Sequence, residues 1–331
     1  MKKFFVMGAV VFASLSACSP DLGPVAVNDG SIKFVSVQTR ATDETELSDL
    51  QKDESFQVFG YNKKGTEIKT VFDNVKPKWD GVSTWTTTDI KYWEDAKNYN
   101  FYAFYPAQAV DASYEQASFV FDGNGAIDLV AAVNSEVVGN VFNSAVALNF
   151  KHQLSRVAIN FINKFNDPNI TIEVLEVVVS DVETGAKFTF VAPHSAANQI
   201  EPILTEPTTD NLTFTFDGNV NSIVGAEVGV TSYNSGKTNY MYFLPTADAK
   251  AYNLSCKIKY INNLTSPATV KEVLYPAGDE VLTLSETKYE AGQSYVFSAN
   301  VYDELNPITF SVSVESWGVD KPAGNITIGS K

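Results

Sequence analysis

A chain of 331 residues that is 44% hydrophobic can bury substantial cores, and its length suggests about two domains. Its formal charge of −15 repels nucleic acid and anionic lipid, so nucleic-acid partners are excluded and any membrane contact must come from an attached lipid. Two cysteines, at positions 18 and 256, rule out a disulfide-stapled scaffold and leave stability to packing.

Lys2 and Lys3 precede an apolar run, residues 4–12 (FFVMGAVVF). That run is too short for a permanent span, which needs about 20 apolar residues. Leu15-Ser16-Ala17-Cys18 follows, with small residues where signal peptides end. The four residues resemble a bacterial lipobox. The resemblance implies a signal peptide over residues 1–17, cleavage before Cys18, a diacylglycerol on its thiol and an acyl chain such as palmitate on the new amine. Several buried acyl chains hold a protein firmly on a membrane. Losing residues 1–17 removes Lys2, Lys3 and no acidic residue, so 22 basic against 39 acidic residues leaves −17.

The remainder is rich in strand-forming residues, with 22 Phe, 15 Tyr and many Val, Ile and Thr. Short alternating segments recur between Gly, Pro, Asn and Asp. The first strand is predicted over residues 32–37 (IKFVSV), and a second over residues 56–61 (FQVFGY) after a polar, acidic stretch. Residues 71–85 hold a strand and a turn at Asp80-Gly81. A weak helical signal covers residues 88–96. Residues 99–105 (YNFYAFY) are apolar in both phases, as in a strand buried on both faces, and stop at Pro106. Residues 118–121 and 127–131 flank a turn at 122–125 (DGNG).

A second cycle starts near residue 146. Val146, Leu148, Phe150, His152 and Leu154 share one phase, whereas Val157, Ile159 and Phe161 take the other. The switch near Ser155 predicts a bulge or a change of sheet. Further strands are expected over residues 170–179, 187–191, 240–244, 254–260, 295–301 and 308–314, the last just before Trp317. The pattern reads as all-β, with two β-sandwich domains in tandem and a boundary near residues 134–143.

No catalytic constellation emerges, and no cofactor is expected. His152 reads as a hydrogen-bonded core residue or, less simply, a ligand, and no His-Cys metal spacing exists. Residues 122–128 start like a calcium loop but lack its Gly at position 6, so a β-turn or a loose carboxylate site remains. No Walker loop, dinucleotide fingerprint or Gly-x-Ser-x-Gly elbow occurs. Cys256 falls in the inward phase of its strand and reads as an inert thiol. Tyr92, Trp93, Tyr99, Phe101, Tyr102, Phe104 and Tyr105 are either a core strand or a sugar-stacking platform. The two arginines are Arg40 and Arg156. Arg156 lies in an apolar strand pattern. Arg40 precedes residues 41–55 (ATDETELSDLQKDES), whose composition suits a protease-accessible loop. Arg40 is therefore either the cleavage site of an Arg-specific protease or a solvated loop residue.

These pieces in this order resemble the fimbrillins of Bacteroidales, the Mfa-like subunits of type V pili. The matching segments are Cys18, residues 32–34 running into 39–42 (TRAT), residues 56–61, Tyr92-Trp93, residues 99–106, 127–131 (IDLVA), 148–157 (LNFKHQLSRV) and 313–317 (SVESW). The resemblance implies transthyretin-like (Ig-like) sandwiches, no enzymatic activity, and a lipoprotein precursor exported through the periplasm to the outer membrane. An Arg-specific protease would cut between Arg40 and Ala41. The expected organisation is signal peptide 1–17, lipidated propeptide 18–40 including the first strand, N-terminal sandwich 41–140 and C-terminal sandwich 141–331. The vacated groove would take a donor strand from another pilus subunit, giving a fimbrium that contributes to adhesion. Ile308, Phe310, Val312 and Val314, or Ile326 and Ile328 in the tail, are the donor candidates. The alternative is a permanently anchored outer-membrane lipoprotein that binds glycan through exposed aromatics.

Overall fold

The computed structural model describes residues 29–36, 56–81, 84–140, 145–165, 167–192, 201–214, 216, 227–229, 240–276, 281–302 and 308–316. Among them there is no helix. The strands begin with β1 (Phe34–Ser36), β2 (Gln57–Lys64), β3 (Glu67–Val75), β4 (Lys78–Trp79), β5 (Trp85–Thr86), β6 (Asn98–Tyr105) and β7 (Asp111–Ala112). They continue with β8 (Gln116–Asp122), β9 (Val130–Val138), β10 (Val146–Leu148), β11 (Lys151–His152), β12 (Ser155–Asn163) and β13 (Ile170–Val191). The last are β14 (Ile203–Phe214), β15 (Glu227–Gly229), β16 (Met241–Phe243), β17 (Leu254–Asn262), β18 (Thr269–Tyr275), β19 (Gln293–Val301) and β20 (Thr309–Ser316).

They form four sheets. The first has the order β10-β1-β5-β4 and the second β11-β9-β6-β2-β3. These two enclose a core of Phe34, Phe72, Trp85, Phe101, Val146 and Leu148 with their neighbours. The third sheet runs β15-β12-β19-β20, with β16 also on β12, and the fourth β18-β17-β13-β8-β7, with β14 also on β13. One end of the fourth sheet covers the third through Val157, Ile159, Val177, Ile258 and Phe297. Its other end covers the outer face of the second sheet, where Phe119, Phe188 and Phe190 meet Phe59, Tyr102 and Phe104. The second sheet is thus apolar on both faces, because it is packed on both. That accounts for the double-phase pattern of residues 99–105.

The 22-residue strand β13 is common to both packings. It pairs with β17 at its beginning, with β8 at its end and with β14 on the opposite edge. Its register shifts at several points, and Asp181 within it has φ 56°. Bulges of this kind let a strand bend from one partner layer to the next.

The phase switch near Ser155 is a change of sheet. His152 pairs with Val130 in the second sheet, and Ser155 pairs with Phe243 in the third. Residues 146–152 accordingly join the first two sheets, whereas β7 and β8 join β13 in the fourth. Chain order and sheet membership therefore do not run in parallel around residue 140, because β10 and β11, which follow it, lie in the first two sheets, whereas β7 and β8, which precede it, lie in the fourth. The Asp80-Gly81 turn is present, with Gly81 at φ 83° and Trp79 paired to Trp85. The helical signal over 88–96 corresponds to irregular chain, with bends at 88–89 and a turn at 95–96, in which Tyr92 bridges to Ser31.

Candidate functional site

The first strand occupies a slot inside the first sheet. β1 runs parallel to β10, with Phe34 opposite Val146 and Ser36 opposite Leu148, and antiparallel to β5 at Trp85. Its approach is pinned by backbone bonds. Ile32 N–H donates to Lys91 O at 2.7 Å, Trp93 N–H to Gly30 O at 3.0 Å and Val146 N–H to Lys33 O at 2.7 Å. Alternation turns Ile32 and Phe34 inward, where they are 2% and 0% exposed. The Phe34 ring meets Phe72 and Phe101 edge-on, at centroid distances of 5.4 and 5.9 Å.

Asp29 fixes the entry to this strand. Its Oδ1 accepts the Ser31 N–H at 3.0 Å and also the Ser31 hydroxyl. These bonds hold the carboxyl pKa at about 2 against an ordinary 3.8. A depressed carboxyl pKa contributes stability above the unfolded value and loses it as pH falls through the folded one. The anchor therefore holds at neutral pH and weakens between pH 3.8 and about 2.

β20 lies at the opposite end of the described chain. It is an edge strand on β19, from Asn300↔Thr309 to Gln293↔Ser316. Ile308 just precedes it and is buried, Phe310 and Val312 pack partly against the core, and Val314 is 49% exposed. Three of the donor candidates thus form the last described strand, and the fourth adjoins it. The first and last strands share a sequence signal that phase alone did not reveal. Ile32-Lys33-Phe34 and Ile308-Thr309-Phe310 are both Ile-x-Phe, each followed by alternating Val and Ser. Cys18, Arg40, Ala41, Ile326 and Ile328 lie outside the described residues, as does Trp317.

The other candidates resolve as structure. His152 Nδ1 donates to Asp128 Oδ2 at 2.6 Å, so it is hydrogen-bonded as expected, though at the edge of the core. Residues 123–126 form a turn in which Ala126 N–H donates to Gly123 O at 2.8 Å, with Asn124 and Gly125 at positive φ. The strands on either side of it, β8 and β9, part into different sheets. Trp93, Tyr99, Phe101, Tyr102 and Phe104 are buried, while Tyr92 is 59% exposed. This overturns the sugar-stacking platform, because the ring faces it needs are consumed by packing. Cys256 is buried, and desolvation pushes its thiol up to about 12. The native protein is expected to leave Cys256 untouched by a thiol reagent and to react fully once unfolded in guanidinium. Rapid labelling of the native chain would refute the inert-core reading.

The profile of a family described as fimbrillin-like matches residues 39–317. No curated protein matches the chain. Among solved structures, a fimbrial protein from Bacteroides vulgatus superposes with a TM-score of 0.60 at 16% identity, covering 87% of this chain and 99% of its own. A candidate cell adhesion protein from Bacteroides uniformis gives 0.50 at 18% identity, covering 88% of this chain and 99% of its own. At such identities the likeness is one of fold.

Proposed function

Since the chain belongs to the fimbrillin-like family, we propose that it is a pilus subunit, delivered as a lipoprotein on Cys18, matured by cleavage after Arg40 and polymerised by strand exchange. It acts as a structural and adhesive component of the cell surface, not as an enzyme. The observation that carries this reading is the seating of β1. A three-residue strand fills a slot between two others, with Ile32 and Phe34 plugging the core. Losing it would leave unpaired N–H and C=O groups on β10 and β5 and a strip of aromatic core open to water. A strand from another subunit restores both, which is β-augmentation. Repeated head to tail, the exchange builds an open filament.

β20 of a second copy is a fitting donor. Its Ile308 and Phe310 repeat the spacing of Ile32 and Phe34, and it is held on one side by β19. Ile326 and Ile328 supply the next apolar pair beyond it. In this scheme the lipid on Cys18 tethers the precursor at the outer membrane and leaves with residues 18–40. An Arg-specific protease and neighbouring pilus subunits are the partners.

The Arg40→Ala variant tests the scheme. It is expected to accumulate on the surface as a lipidated precursor, while natural filaments begin at Ala41 on N-terminal sequencing. Normal polymerisation of the variant, or Cys18 retained in every filament subunit, would overturn processing at this site.

A further inference from the structure

One buried cluster lies beside the slot and takes no part in seating β1. Lys97 precedes β6 and its side chain is 9% exposed, rare for a lysine. Its Nζ lies 2.7 Å from Glu94 Oε2. The other oxygen of that carboxylate, Oε1, accepts a 3.4 Å hydrogen bond from Asn62 Nδ2. Asn62 is 2% exposed on β2, opposite Tyr99 of β6. Lys97 stands two residues before Tyr99, so it projects from the same face as Asn62, on the diagonal. The Asn62 Oδ1 is buried and has no hydrogen-bond partner.

The backbone around the three is held in place. Glu94 N–H donates to Tyr99 Oη at 2.9 Å, and Gly139 N–H donates to Lys97 O at 2.7 Å. A Cβ on Gly139 would sit 2.3 Å from Glu94 O, so only glycine permits this approach. An ion pair alone explains why Lys97 meets Glu94. It does not explain a buried asparagine with an orphaned carbonyl on the same carboxylate, which is costly. Lys69, paired with Asn62 from β3, is exposed and engaged with Glu67 at 3.2 Å, so Lys97 is the amine that is held.

We propose that Lys97 and Asn62 become joined by an intramolecular isopeptide bond, with Glu94 as the proton-transfer group. Glu94 takes a proton from the Lys97 ammonium. The freed Nζ lone pair adds to Asn62 Cγ, forming the C–N bond. The Cγ–Nδ2 bond breaks, its electron pair stays with nitrogen, and that nitrogen leaves with protons from Nζ and Glu94. The balance is one ammonium and one side-chain amide from one lysine ammonium and one asparagine amide, with no redox change. Glu94 is half exposed, which gives the ammonium a path to solvent. The bond would close a loop containing β3, β4 and β5 and would lock β2 to the start of its neighbour β6 in the second sheet, whether or not β1 is present. It does not depend on strand exchange.

Peptide mapping of the purified full chain, denatured and digested with trypsin, tests this. The expected result is resistance at the Lys97–Asn98 bond and a branched peptide carrying Asn62 and Lys97, lighter than its two parts by one ammonia. Glu94→Gln is expected to give separate linear peptides. Asn62→Asp is expected to give a branched peptide of the natural mass, formed with loss of water. Linear peptides with unmodified Asn62 and a free Lys97 in the natural protein would overturn the bond. A fully linked Glu94→Gln variant would overturn the role of Glu94.

Discussion

A chain beginning at Ala41 is expected to lose most of its folding stability and to recover it when a peptide of residues 29–40 is added. Ile32 and Phe34 are buried almost completely, and each such side chain contributes roughly 1.5–3 kcal/mol. The backbone bonds of Ile32, Lys33 and Gly30 add about 1 kcal/mol apiece and leave unpaired groups when removed. The combined loss, roughly 5–10 kcal/mol by those values, approaches the whole stability of a typical domain. Guanidinium unfolding at low protein concentration measures it. A peptide with Phe34→Asp is expected not to rescue, because it would place a charge against Phe72 and Phe101. At high concentration the truncated chain is expected to self-associate as neighbours supply strands. A truncated chain as stable as the full one would remove the slot from the mechanism.

Phe188→Ala is the second large effect, and it lies in a different core from the slot, on the other face of the second sheet. Phe188 is fully buried on β13, stacked on Phe119 at 5.8 Å and edge-on to Phe121 at 5.9 Å. Truncating such a phenylalanine costs about 3–5 kcal/mol, because the cavity adds to the lost transfer energy. The loss is expected to reach both ends of the molecule, since β13 serves the core at each end of its sheet. Tryptophan fluorescence, to which Trp79, Trp85 and Trp93 at the core between the first two sheets contribute along with Trp317, should then shift together with far-UV circular dichroism in one denaturant transition. A loss under about 1 kcal/mol, well below the range for buried aromatics, would contradict the packing. Separate transitions would contradict the coupling.

The failures of sequence reading concentrate where pairing overrides local chemistry. Residues 180–186 (SDVETGA) separate two expected strands, 170–179 and 187–191, yet β13 runs straight through them. Pairing to β14 carries the chain across, and the unsuited residues appear as register shifts and a positive φ at Asp181. β14 itself (ILTEPTTDNLTF) contains Pro, Asp and Asn and gave no strand signal; an available edge of β13 templates it. The helical signal over 88–96 failed for a similar reason, because bonds from Ile32 to Lys91 and from Trp93 to Gly30 tie the middle of that segment to the chain before β1.

The pattern of apolar residues by itself determined the all-β class, the doubly buried strand at residues 99–105 and the break in phase near Ser155, because burial is written into which side chains are apolar; that the break is a change of sheet was decided by the structure. The lipobox-like run ending at Cys18, and Arg40 ahead of an acidic stretch, are features of the sequence, and the roles proposed for them rest on the sequence. Which strand lies beside which was decided only by the tertiary structure. The seat of β1 between β10 and β5, the reach of β13 across two cores and the meeting of Lys97, Glu94 and Asn62 all join residues distant in sequence. A strand's pattern states how much of it must be covered, but the partner that covers it is chosen by the packing of the whole chain.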